Sequence, residues 1–349
     1  MEINNCSSCG GKVEFSPKDK GLKCVKCGNV YPIDYKQEVE KKPVSQIDQE
    51  DSNGYKDWEN TSRSFQCTNC GAQIVMNKFE MANICQYCHT SSLIPLEKLP
   101  GLKPDLVVPF KISKEEASSV FKERVKHKWF LPREFKKKVP SADIGATYIS
   151  SFNFAMHVFA TYTATEYYTV TVTVNGESRT ETRSRHVSGS VDKQFNNIVV
   201  EASDKISQQD IDAILPFNFA EAYDYDSDFI KGYNVGYYNQ SAGEAFIQAR
   251  NIADSNVERI IRGRYESLSF LKVNSAYNDE KYSYSLLPVY FVKYKYKGKD
   301  YFNLMNGQNG NVGGGVPRSA VKITFFTLFI LLLVVGVPLL IFLLTTILN

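Results

Sequence analysis

The chain has 349 residues, with 41 Lys and Arg against 38 Asp and Glu, for a net charge of +3. That length holds one or two domains besides any anchor. A charge so near neutral excludes an argument from net charge alone for nucleic acid or an acidic substrate.

The N-terminal part is built on two repeats. Cys6, Cys9, Cys24 and Cys27 form C-x2-C-x14-C-x2-C, and Cys67, Cys70, Cys85 and Cys88 repeat that spacing, so that all 8 cysteines are used. Each C-x-x-C offers two thiolates on one tight knuckle, and two knuckles complete the four corners of a zinc tetrahedron. Glycine follows the first knuckle in both repeats (CSSCGG, CTNCGA), where positive φ or close backbone approach is wanted. KVEFSPKDKGLK and QIVMNKFEMANI read as short hairpins, so residues 1–35 and 65–98 are expected to be zinc ribbons. Four thiolates leave no open position on the metal, so each of the two zinc ions is structural. Units this small cannot build a sufficient core, and metal binding worth about 10 to 16 kcal/mol in comparable peptides would hold them. His89 adjoins the last ligand and is read as a bystander. Residues 36–64 are polar, charge-mixed and poor in aliphatics, and are expected to form a flexible linker that lets the ribbons move independently.

Residues 99–306 read as an α+β domain. DLVVPF is a strand, and Ser113 with Glu116 makes a capping box for a helix with apolar positions Ala117, Val120, Phe121, Val125 and Trp129. Its other face carries Lys122, Lys126 and Lys128, with Lys136 to Lys138 close behind; a solvated face is preferred to a lipid-facing one. Gly145 to Val200 is strand-like, and Asn175-Gly176 between TVTVTV and ESRTETRS is a hairpin signal. Ser207 with Asp210 and Ser241 with Glu244 open two further helices, the second with Ala245, Phe246, Ala249, Ile252, Ala253 and Ile260 at helical spacing. SLLPVYFVKYKYKGKDYFNLMNG reads as paired strands turning at Lys297-Gly298-Lys299, with Tyr290, Val292, Tyr294 and Tyr296 on one face. Residues 307–322 are a glycine-rich juxtamembrane linker.

Residues 323–348 are an uncharged run of roughly 26 residues, against the roughly 20 needed to cross a bilayer core as a helix. A transmembrane helix is expected, with Gly336 and Pro338 tolerated inside it. Arg318 and Lys322 flank its N-terminal end and nothing basic follows, which places the N-terminal part in the cytoplasm by the positive-inside rule. MEINNCSSCG has no charged leader before an apolar core, so no export signal is expected. A reducing compartment favours metal over disulfides for the cysteines. The expected architecture is thus multidomain: two β zinc ribbons, a cytoplasmic α+β domain and one C-terminal transmembrane helix in the cell membrane.

No catalytic constellation emerges, and a non-enzymatic protein is expected. The Walker phosphate loop, His-Glu-x-x-His and G-x-S-x-G motifs are absent, and Gly307, Gly310 and Gly313 to Gly315 lack the lysine and helix that would cradle phosphate. The histidines, His89, His127, His157 and His186, are scattered. Asp224, Asp226 and Asp228 alternate like a calcium loop but lack its glycine and terminal glutamate. The ribbons carry no basic run interleaved with aromatics, so a protein-docking role is preferred and nucleic acid is not the expected partner. A membrane-tethered nucleic-acid or transcription factor stays open as the alternative.

With the paired ribbons, VVPFKISKEEA, KHKWFLPREFKKK, SRHVSGSVDKQFNNIVVEAS, EAFIQAR and KYKGKDYFNLMNGQNGNVGGGVPRS, the chain resembles the bacterial zinc-ribbon membrane proteins of the YdjG type, often mislabelled as helicase-like. It departs from them at Tyr148 to Phe154, reading YISSFNF where they tend to have a YIPFW-like strand. The resemblance implies a membrane-bound adaptor whose ribbons recruit a peripheral SPFH (prohibitin-like) protein in a membrane-stress setting. It also implies association with a related zinc-ribbon membrane protein as a hetero-oligomer.

Overall fold

The structure, a computed structural model, describes residues 5–33, 40–47, 62–77, 84–88, 90–96, 102–137, 143–203 and 205–338. In chain order the strands and helices begin with β1 (Val13–Ser16), β2 (Gly21–Cys24), β3 (Val30–Pro32), β4 (Lys42–Pro43), β5 (Ser62–Cys67), β6 (Gln73–Asn77), β7 (Leu93–Leu96) and β8 (Leu106–Val107). Next come α1 (Lys114–Lys126), α2 (Arg133–Lys137), β9 (Asp143–Val174), β10 (Glu177–Glu201), α3 (Gln208–Asp212), β11 (Tyr223–Asp224) and β12 (Asn234–Gly236). The last are α4 (Ala242–Arg262), β13 (Ser267–Tyr296), β14 (Lys299–Asn306), β15 (Val312–Gly314) and α5 (Ala320–Leu331). The chain divides into two compact units, one of Met1–Phe110, Thr147–Gln208 and Phe217–Pro288, the other of Lys111–Ala146, Gln209–Pro216 and Val289–Asn349. The fold is mostly β.

In the first unit, β1, β2 and β3 make a small antiparallel sheet in that order, and the main sheet runs β11-β8-β13-β9-β12-β6-β5-β7 with β10 beside β9. The long β9–β10 hairpin turns at Asn175 (φ 53) and Gly176 (φ 84), the two left-handed residues that a type I′ turn demands. Alternate residues of β9, from Phe152 through Phe154, Met156, Val158 and Ala160 to Tyr162, fill one core. Onto it α4 lays Ala242, Ala245, Ala249, Ala253, Val257 and Ile261, a stripe whose small side chains let helix and sheet approach closely. Ser241 caps that helix by accepting from the Glu244 amide, in a complete capping box. Arg250 pairs with both carboxylate oxygens of Glu280 on β13, at 2.8 and 2.7 Å.

The described part of the expected linker is held. β4 pairs with β13 (Lys281↔Pro43, Tyr282↔Lys42), Lys42 Nζ is 2.6 Å from Asp105, and Ile47 is buried in the core beside α4. Each ribbon is also fastened to the unit. β6 pairs with β12 (Val235↔Val75, Gly236↔Ile74), and the Tyr237 amide donates to Gln73 O at 3.0 Å. From the first ribbon, the Phe15 amide donates to Lys231 O at 3.0 Å and the Phe15 ring lies 5.2 Å from Phe229. The expectation of independently moving ribbons is therefore corrected. Average polarity hides the few apolar residues, Val44 and Ile47, that suffice to anchor such a stretch.

In the second unit, residues 289–296 of β13 pair with β14 from Val289↔Asn306 to Tyr296↔Lys299, turning at Lys297 (φ 48) and Gly298 (φ 76). Tyr294 and Tyr296 share one face, as their parity requires, and Phe135 of α2 packs on both rings at 5.5 and 5.1 Å. Phe121 of α1 meets Tyr294 at 5.8 Å. The α1 capping box at Ser113 and Glu116 forms as expected, but the helix stops at Lys126, so Trp129 is 73% exposed and not part of its apolar stripe. Pro132 bars helical backbone at Leu131, but it lies too far on to set the end at Lys126. The glycine-rich run does more than connect: β15 adds to β14, and buried Asn306 donates to Ile214 O (2.9 Å) and Pro216 O (3.2 Å).

α5 begins at the Ser319 cap and passes into a π-helical stretch at Leu332–Gly336. Pro338 supplies a cause, because it has no amide to give Val334 O and its ring crowds that carbonyl. From Ile323 to Val337 the large apolar side chains are exposed on every side. Among the described residues no helix is long and apolar enough to cross a membrane. Residues 339–348 of the expected span lie outside the described residues.

Candidate metal centres

Each quartet converges. The four Sγ atoms of Cys6, Cys9, Cys24 and Cys27 lie within 4.8 Å of one another, as do those of Cys67, Cys70, Cys85 and Cys88. In the first site Cys6–Cys27 and Cys9–Cys24 are each 3.5 Å apart; in the second Cys67–Cys88 is 3.5 Å and Cys70–Cys85 is 3.7 Å. These separations are far too long for a disulfide, whose sulfurs sit about 2.05 Å apart. A tetrahedron with metal–sulfur arms of about 2.3 Å has edges of about 3.8 Å, so the cages fit Zn2+. The donor set is soft and complete, and the two quartets are the metal-competent clusters among the described residues.

Local backbone chemistry builds the knuckles. The amides of Gly10, Gly28 and Gly71 donate to the carbonyls of Cys6, Cys24 and Cys67, at 2.8, 3.0 and 2.8 Å, folding each C-x-x-C over itself. All three glycines have positive φ (65, 80 and 72). Gly11 serves packing instead: a Cβ there would lie 2.9 Å from Lys26 Cβ and 3.1 Å from Cys24 Sγ. The fourth knuckle ends on His89, which is outside the described residues.

The first site sits at one end of β1 and β2, whose hairpin matches the expected one. The second differs. Its described strand β6 pairs backwards with β5, which precedes the first knuckle, and β5 pairs in turn with β7. Cys67 and Cys85 are fully buried in a small cluster with Ala72, Ile74 and Met76.

Sequence reasoning missed two hydroxyls. Tyr31 donates to Cys6 Sγ at 3.1 Å, and this bond, outweighing burial, holds the Cys6 thiol down to about 6. Thr90 Oγ1 lies 3.2 Å from Cys88 Sγ and 3.4 Å from Cys67 Sγ. Burial alone would raise the Cys88 thiol, but the Thr90 hydroxyl and the Asn69 side chain bring it to about 6. Both sets of contacts favour the thiolate that a metal needs. Their only sequence signal was a hydroxyl shortly after the second knuckle.

The other residues weighed for chemistry are dispersed. His157 pairs with Asp192 at 2.6 Å on the exposed hairpin, His186 Nδ1 is 3.4 Å from Thr165 Oγ1, and His127 caps α1. Asp226 caps the short turn Ser227–Ile230 by accepting from the Asp228 amide, and Asp228 pairs with buried Lys231. These acids thus serve the loop's own structure.

The fold and the sites define a class: a mostly β protein with two four-cysteine centres, set in small strand-rich regions that fit zinc ribbons. Among curated proteins the chain is similar to "Uncharacterized protein YdjG" of Bacillus subtilis (strain 168), with 28% identity over 236 residues, 65% of this chain and 68% of the relative. No family model and no solved structure matches.

Proposed function

We propose that the protein is a non-enzymatic, membrane-anchored adaptor whose cytoplasmic zinc ribbons recruit a peripheral protein to the bilayer. The observation that carries this reading is the pair of closed four-thiol cages: with every coordination position taken, the metal shapes a surface and does not activate water or substrate. The exposed apolar helix from Ile323 onward supports the anchor, since a helix that is apolar on all sides needs a non-aqueous surround. By resemblance the recruited protein is of the SPFH class.

The test is isolation of partners from bacterial membranes with the intact chain and with a Cys67→Ser/Cys70→Ser form. An SPFH-class protein should co-isolate with the first and return to the soluble fraction with the second. Unchanged membrane localisation of every co-isolated partner would remove the ribbons from the recruiting role. Alkaline carbonate extraction tests the anchor separately.

A further inference from the structure

The second unit gathers a collar of cations and an aromatic side chain around the start of the apolar helix α5. Three backbone acceptors tie the loop after α1 to that helix. The Ser319 amide donates to Phe130 O at 2.8 Å, and Lys322 Nζ donates to Trp129 O at 3.2 Å and to Leu131 O at 2.8 Å. The Phe130 ring meets Phe326, nearly two turns into the helix, edge-on at 5.5 Å. The loop is therefore fixed at the level where the uncharged run begins.

This clamp leaves Trp129 pointing outward, 73% exposed, beside a cluster of positive charge. Lys128 is held below its ordinary range first by burial and then by Arg318, and Lys322 first by burial and then by Lys136 and Arg133. Cations that close repel one another and gain only if an anion joins them. Among the described residues the acid within this stretch, Glu134, is directed to Lys297 at 3.5 Å. An exposed tryptophan and basic side chains without an acidic partner among the described residues, at the foot of an apolar helix, are the two features that hold a chain at the headgroup level.

We propose that Lys128, Trp129, Arg133, Lys136 and Arg318 form a headgroup-binding collar for anionic phospholipid, which seats the second unit on the membrane surface. The proposal rests on residues 323–348 spanning the bilayer, and it reverses the choice of a solvated basic face that composition favours. The collar makes the second unit part of the membrane interface.

The test uses the full chain in lipid nanodiscs with Trp58→Phe, which leaves Trp129 as the tryptophan reporter. Nanodiscs of phosphatidylcholine carry spin-labelled phosphatidylglycerol, labelled either at the headgroup or at the acyl-chain end. Trp129 fluorescence should be quenched more by the headgroup label, and high salt should weaken the quenching. Lys128→Gln with Arg318→Gln should lower the apparent preference for phosphatidylglycerol by about fivefold per charge removed. A chain that enters the discs with Trp129 unquenched, or with no preference for phosphatidylglycerol over phosphatidylcholine, overturns the collar and leaves the anchor standing. A chain that does not enter the discs at all overturns both.

Discussion

Loss of the second metal should be felt well beyond the second ribbon. Cys67→Ser with Cys70→Ser removes two of four ligands, and metal binding in comparable small sites contributes about 10 to 16 kcal/mol. The ribbon should then unfold locally and take its contacts to the rest of the first unit with it. Those contacts are the pairing of β6 with β12, the bond from the Tyr237 amide to Gln73 O, and the complete burial of Val75 beside Val235. At about 1 kcal/mol for each hydrogen bond and about 2 kcal/mol for the valine, the unit loses about 4 to 5 kcal/mol. For a unit of this size that lowers the melting midpoint by about 10 to 20 °C. Hydrogen exchange of the full chain, with its zinc content measured alongside, supplies the assay: the Tyr237 amide should lose protection as one zinc is lost. If one zinc is lost while Tyr237 protection and the melting midpoint are both unchanged, the ribbon is an independent module and is not fastened to the rest of its unit.

Three further outcomes follow from particular contacts. Gly236→Ala places a Cβ 1.9 Å from the Tyr87 hydroxyl, so it should cost about 1 to 3 kcal/mol in denaturant melts, and adding Tyr87→Phe should recover part of that because the next ring atom is 3.0 Å away. Tyr31→Phe removes the bond that lowers the Cys6 thiol from its ordinary 9.0 to about 6. The thiolate is favoured above the folded value and lost as pH falls through it, so zinc release on acidification should begin at higher pH in the variant; identical release curves would refute this. Asn306→Ala leaves the buried Ile214 carbonyl without that donor, while the exposed Pro216 carbonyl keeps its bond from Asn309 Nδ2 at 2.8 Å, so the change should cost about 1 to 3 kcal/mol, read from thermal unfolding of the full chain.

The metal cages were the most legible part of the molecule. Ligand identity is written in cysteine spacing, and a C-x-x-C knuckle closes through bonds between residues four apart, so the Gly10, Gly28 and Gly71 turns need nothing distant. The Asn175-Gly176 hairpin and the capping boxes at Ser113 and Ser241 were legible for the same reason. The hydroxyls of Tyr31 and Thr90 were not, because a donor to sulfur is chosen by where a side chain lands.

By itself the sequence determined these local features: eight cysteines in two sets able to hold a metal, helix starts, turns, and an uncharged C-terminal run with basic residues only before it. The tertiary structure alone decided that the ribbons are fastened and that Val44 and Ile47 pin a polar stretch. It also made the glycine-rich run part of a sheet and drew Trp129 out of its helix to the foot of α5. The difference is physical. A knuckle or a cap is settled by hydrogen bonds between near neighbours, whereas fastening depends on which apolar surface and which sheet edge residues far along the chain bring to meet it.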